Sequence, residues 1–89
     1  MHPIKRVDYK ASAEKDLEGL DRSVALRVIR KIDLTLLASD RPGIPLSGEF
    51  SGLFKLRVGD YRVIYVPISE GALVLRIGHR REVYRKGRP

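Results

Sequence analysis

The sequence predicts an α+β domain: a small twisted antiparallel sheet with a two-helix hairpin against one face. Three observations predict it. An alternating segment opens the chain, apolar residues then recur at helical spacing, and three strand-like runs joined by short turns follow. A chain of 89 residues suits one domain with a single modest core.

Ile4 to Tyr9 alternates and reads as the first strand. Ser12 stands where an N-cap is expected, with Glu14 and Asp16 in the following turn, where the helix dipole favours acids. Ala13, Leu17 and Leu20 form the stripe of a short helix that breaks near Gly19 to Asp21. A longer helix is expected from about Arg22 to Ala38, with Val28, Ile29, Ile32 and Leu36 on its apolar face. The segment SDRPGIPLSGEFSG, residues 39–52, carries two prolines and three glycines and reads as loop. Leu53–Val58, Tyr61–Ile68 and Ala72–Ile77 then form a meander, turning at Gly59-Asp60 and at Ser69–Gly71. We expect one domain over residues 1–84 and a basic tail over 85–89.

The composition excludes several classes of function. Without cysteine there is neither a disulfide nor a thiolate metal site, and two histidines far apart in the chain make no metal site, so no cofactor is expected. No apolar run approaches the roughly 20 residues of a bilayer span. The opening MHPIKRVDYK lacks the apolar stretch of a signal peptide, which points to a cytoplasmic protein without a membrane partner.

The net charge of +7 is unevenly placed. Residues 1–51 hold nine Lys/Arg against eight Asp/Glu, whereas residues 52–89 hold nine against three. A one-sided excess of this kind is the footprint of nucleic acid or of an acidic partner.

A hairpin closed at Gly59-Asp60 sets Val58 opposite Tyr61, Arg57 opposite Arg62, Leu56 opposite Val63 and Lys55 opposite Ile64. One face then carries Phe54, Leu56, Val58, Tyr61, Val63 and Tyr65, which suits the helices. The other carries Lys55, Arg57 and Arg62, and matching apolar to apolar brings Arg76 and Arg80 to it. Like charges directly opposite each other cost stability. A solvated sheet face usually mixes signs, but this one has no acid on its three strands. A phosphate would relieve the repulsion and satisfy the guanidinium forks. The face therefore reads as a phosphate site, with binding alone and binding plus cleavage both open.

The segments LSGEFSGLFKLRVGDYRVIYV (46–66) and IGHRREVYR (77–85) resemble the RelE/ParE superfamily of bacterial and archaeal toxins. The resemblance covers nearly the whole chain, and the ending HRREVY leans toward the RelE branch. It implies the toxin of a type II toxin–antitoxin module, held inactive by a RelB-like antitoxin. It further implies an mRNA interferase: a metal-independent endoribonuclease that cuts mRNA on the ribosome by attack of a 2′-hydroxyl on the neighbouring phosphate. Operator DNA would be bound only by the toxin–antitoxin complex. The family's catalytic residues fall on Lys55, Arg62, Arg80 and Tyr84. A second lysine of the best-known branch is Leu53 here, which leaves the proton relay open.

The chemistry suits these residues. Arg62 and Arg80 would stabilise the phosphorane, because a guanidinium stays charged. A lysine is a poor base unless neighbouring cations and burial disfavour its charge, so Lys55 serves either as base or as a fixed cation. Tyr84 or His79 would complete the proton transfers. Strict alternation sets His79 with Leu75 and Ile77, away from the basic face, unless Gly78 interrupts it. His79 therefore reads as structural or as a proton carrier. Arg57, Arg76, Arg81, Arg85 and Lys86 would add phosphate contacts without selectivity. The rival function is a ParE-like inhibitor that binds DNA gyrase without chemistry. A plain RNA-binding module is disfavoured, because Tyr61 and Tyr65 fall on the core side and leave no stacking platform.

Overall fold

The computed structural model describes residues 4–37 and 43–79. The elements run β1 (Arg6–Tyr9), α1 (Ala11–Glu18), α2 (Arg22–Leu36), β2 (Ile44–Pro45), a 3-10 turn (Gly48–Phe50), β3 (Phe54–Val58), β4 (Tyr61–Ile68) and β5 (Gly71–His79). They build one five-stranded sheet in the order β1-β5-β4-β3-β2. The helices cover one face, where Val28, Ile32 and Leu36 of α2 and Ala13 of α1 pack on Leu56, Val58, Val63, Tyr65, Ala72, Val74 and Ile77. The α+β architecture expected from the sequence is present.

The sheet is mixed rather than wholly antiparallel, because β1 pairs with β5 in parallel. The helix hairpin carries the chain from β1 at one edge to β2 at the other, and the antiparallel meander walks back. β5 therefore arrives beside β1 running the same way. A second difference is β2, two residues of the expected loop that pair with β3 through Ile44–Lys55 and Pro45–Phe54. Gly43 makes this edge possible. A Cβ there would lie 2.3 Å from the Lys55 carbonyl oxygen, and its amide donates to the Tyr65 hydroxyl.

The β3–β4 register is the expected one, with Arg57 opposite Arg62 and Val58 opposite Tyr61. Gly59 adopts φ +59, the left-handed start that a two-residue hairpin needs and glycine supplies at low cost.

Ser12 is not a cap. Lys10 takes the N-cap position without a side-chain bond, and the Ser12 hydroxyl donates instead to the Leu75 carbonyl at 2.7 Å. β5 also carries a bulge. Ile64 pairs with Arg76 but Tyr65 pairs with Val74, leaving Leu75 as an extra residue. The bulge shifts the alternation by one, so Ala72 and Val74 before it and Ile77 after it all reach the core.

Candidate nucleic-acid interface

The face away from the helices presents two cross-strand rows. One runs Arg57, Arg62, Gly78, and the other Ile44, Lys55, Ile64, Arg76. Arg57 is exposed and Lys55 half-buried. Arg62 is only 9% exposed. Its Nη1 donates to the carbonyls of Gly59 at 3.2 Å and Tyr61 at 3.1 Å. A buried cation normally has a carboxylate partner. Here, among the described residues, the ion pairs are Lys5–Glu70, Arg6–Asp8 and Arg76–Asp16, and none reaches Lys55, Arg57 or Arg62. Ile64, between Lys55 and Arg76, is fully buried and gives the face an apolar floor.

Two carbonyl bonds hold the Arg62 guanidinium in place without neutralising it. Its pairing partner on β5 is Gly78, which carries no side chain. Arg57 stands across from it and Lys55 lies one row along. The arrangement is a fixed cation flanked by two more accessible ones, which is the charge pattern a phosphodiester fits.

Arg76 departs from its expected role as a phosphate contact. Its Nε and Nη2 bond the Asp16 carboxylate at 2.9 and 3.2 Å, and the Asp16 Oδ2 also accepts the Ile77 amide at 2.9 Å. The Asp16 hydrogen bond raises the Arg76 pKa further above its ordinary value. This cation is therefore neutralised within the fold. Asp16 does for β5 what β1 does further back, because β1 ends at Tyr9 beside Val74. The sequence placed Asp16 only in a helix first turn, and no local pattern links it to a strand 60 residues away.

His79 lies opposite Tyr61, their rings edge to face with centroids 6.2 Å apart. It stands with Ile77 on the helix-covered side and does not join Lys55 and Arg62. Arg80, Arg81, Tyr84, Arg85 and Lys86 lie outside the described residues. Among the described residues, no helix is long and apolar enough to cross a membrane.

Residues 7–84 match the family described as ParE toxin of type II toxin–antitoxin system, parDE. The chain is 34% identical over 88 residues to Toxin RelE of Mycobacterium tuberculosis (strain ATCC 25618 / H37Rv), covering 94% of this chain and 89% of that protein. Its fold is similar to that in the toxin–antitoxin complex RelBE2 from Mycobacterium tuberculosis, with TM-score 0.75, 31% identity, and 90% of this chain and 94% of that one covered. YafQ from E. coli strain BL21(DE3) shares the fold at TM-score 0.71 and 14% identity, over 90% of this chain and 98% of that one.

Proposed function

We propose that this chain, which belongs to the ParE toxin family of type II toxin–antitoxin systems, acts as a toxin by cutting mRNA on the ribosome. The observation that carries the reading is the Arg57–Arg62 pair, two cations directly opposite on one sheet face with Lys55 in the next row. A surface used only for protein docking has no need to hold a guanidinium nine-tenths buried with no carboxylate partner among the described residues. A transferring phosphoryl group does need one, because negative charge grows on its oxygens as the nucleophile adds.

In the proposed reaction the ribose 2′-hydroxyl attacks the adjacent phosphorus, the bond to the 5′-oxygen breaks, and a 2′,3′-cyclic phosphate remains. Arg62, already oriented by Gly59 and Tyr61, holds the equatorial oxygens in both ground and transition states. Lys55, half-buried over Ile64, faces the same phosphate as proton acceptor or second cation. Arg57 draws the RNA backbone onto the face. Roles for Arg80 as a further cation and Tyr84 in proton transfer rest on the family resemblance.

The partner that keeps the protein inactive is a RelB-like antitoxin. The similar RelBE2 protein was crystallised as a toxin–antitoxin complex, and an acidic segment of such a partner would neutralise the basic face. The match to the ParE toxin family keeps the rival of the sequence reading in view, a ParE-like inhibitor that binds DNA gyrase without chemistry. Incubating the protein with translating ribosomes and mapping mRNA 5′ ends separates the two. The proposal expects new ends within translated message, whereas the rival expects intact message and loss of supercoiling.

A further inference from the structure

β2 is two residues long, and its second residue, Pro45, has no amide to give the ladder. Amides on either side of it add to the Ile44–Lys55 pairing. Leu46 donates to the Leu53 carbonyl at 2.9 Å, and Gly43 donates to the Tyr65 hydroxyl. The second bond skips a strand. Tyr65 is fully buried on β4, opposite Phe54 of β3, and its ring stacks on Phe54 with centroids 5.7 Å apart. The phenol thus passes β3 to hold the chain at the sheet edge.

The residue this edge flanks is Lys55. Directly paired residues project to the same face, so Lys55 stands between Ile44 of β2 and Ile64 of β4. Ile64 is fully buried, whereas Ile44 is 57% exposed and fills no core. The cross-strand neighbour of Ile44 on this face is Lys55. A lysine stem is long and flexible, and an isoleucine on each side leaves it fewer directions. Gly43 seats the edge directly on the Lys55 backbone, since a Cβ there would meet the Lys55 carbonyl. Arg57 and Arg62 lie one row away, and β2 pairs with neither.

We propose that Tyr65 is a positioning residue for Lys55. Its hydroxyl holds Gly43, Gly43 seats β2, and Ile44 of β2 walls the Lys55 stem so that the ammonium stays over the phosphate bound by Arg57 and Arg62. The inference rests on the endonuclease reading. Tyr65 lies wholly in the core and touches no RNA, so it acts on the rate of cutting rather than on the capture of the phosphate.

Two experiments test it, and they fail independently of that reading. In the first, Tyr65→Phe, Ile44→Ala and Lys55→Ala are compared with wild type by the rate of message cutting on translating ribosomes as protein concentration is varied. Tyr65→Phe keeps the ring and Ile44→Ala changes an exposed side chain, so both leave the core filled. Each is expected to lower the maximal rate about 10–10²-fold with the half-saturating concentration unchanged. Neither should slow cutting further once Lys55 is alanine. Val28→Ala, a core change on α2, controls for stability and should cut at the wild-type rate. Wild-type rates in both variants overturn the inference, as does an equal slowing with Lys55 already removed. In the second, the lysine side-chain signals of isotope-labelled protein are followed while inorganic phosphate is added. The phosphate-induced shift of the Lys55 methylenes should shrink in both variants while the amide shifts at Arg57 and Arg62 persist. A Lys55 response equal to wild type in both variants overturns the inference. If the wild type cuts no message, the endonuclease reading falls and the phosphate titration still decides whether Tyr65 and Ile44 place Lys55.

Discussion

The Asp16 carboxylate on α1 accepts from both the Arg76 side chain and the Ile77 amide, joining the first helix to the last strand where β1 no longer covers it. Both side chains of the ion pair are largely buried, at 15% and 11% exposure. Replacing Asp16 leaves a buried cation and an amide without partners. Asp16→Ala should therefore cost about 3–5 kcal/mol in urea unfolding. Arg76→Met in that background should recover part of the loss, because it removes the stranded charge.

Arg57 is expected to trade stability for binding. Arg57→Gln relieves the repulsion across the pair and should raise stability by about 0.2–1 kcal/mol. It should also weaken RNA binding and reduce the slope of log affinity against log salt by about 0.7, as for one lost phosphate contact on a single strand. Thermal melting with and without inorganic phosphate checks the same point, with the wild type gaining more from the anion than the variant.

Tyr9 makes stability depend on alkaline pH. Burial, aided by the Asp33 carboxylate, pushes its phenol from 10.0 up to about 12. Its hydroxyl is buried without a hydrogen-bond partner among the described residues. Between these values the unfolded chain has lost the proton and the folded one still holds it, so stability is intact below about pH 10 and falls as pH rises toward 12. Tyr9→Phe should shrink that loss. At neutral pH it should leave stability unchanged or raise it, since an unpaired buried hydroxyl costs about 1–3 kcal/mol. Urea titrations at several pH values read both effects. The buried Tyr65 phenol is also raised by burial, with the Gly43 bond pulling the other way, and contributes in the same direction.

Gly43→Ala should loosen the β2 edge. The added methyl meets the Lys55 carbonyl, so β2 must move off β3 and the Tyr65 hydroxyl loses its donor. Faster amide exchange at Leu46 and Lys55 is the expected signature. Global stability should fall by about 1–3 kcal/mol.

Much of the basic face was legible because hairpin geometry is local. Gly59-Asp60 fixes the β3–β4 register, and alternation then sets Arg57 against Arg62 and Leu56 against Val63. The helix bounds followed from apolar spacing and from the break at Gly19–Asp21. What escaped was long-range. Nothing in Ile4–Tyr9 says whether it pairs in parallel or antiparallel, or with which strand. The bulge at Leu75 is invisible in a run of apolar residues, yet it resets which side chains face the core. Ser12 looked like a cap from its neighbours alone, whereas its hydroxyl serves a strand 63 residues on. Arg76 was assigned by counting faces, and only the Asp16 bond removes it from the free cations. Tyr61 was correctly placed on the core side, but the end of the sheet leaves its ring half-open beside His79.

The central claim is that Arg62 and Lys55 act on a phosphate of ribosome-bound mRNA. The most direct measurement compares wild type, Arg62→Ala and Lys55→Ala in a translating extract, mapping message 5′ ends and confirming each variant's folding by circular dichroism. The account predicts cuts confined to translated message, slowed about 10²–10³-fold without Arg62 and about 10²–10⁴-fold without Lys55. Folded variants that cut as fast as wild type would contradict it. So would a wild type that leaves the message whole.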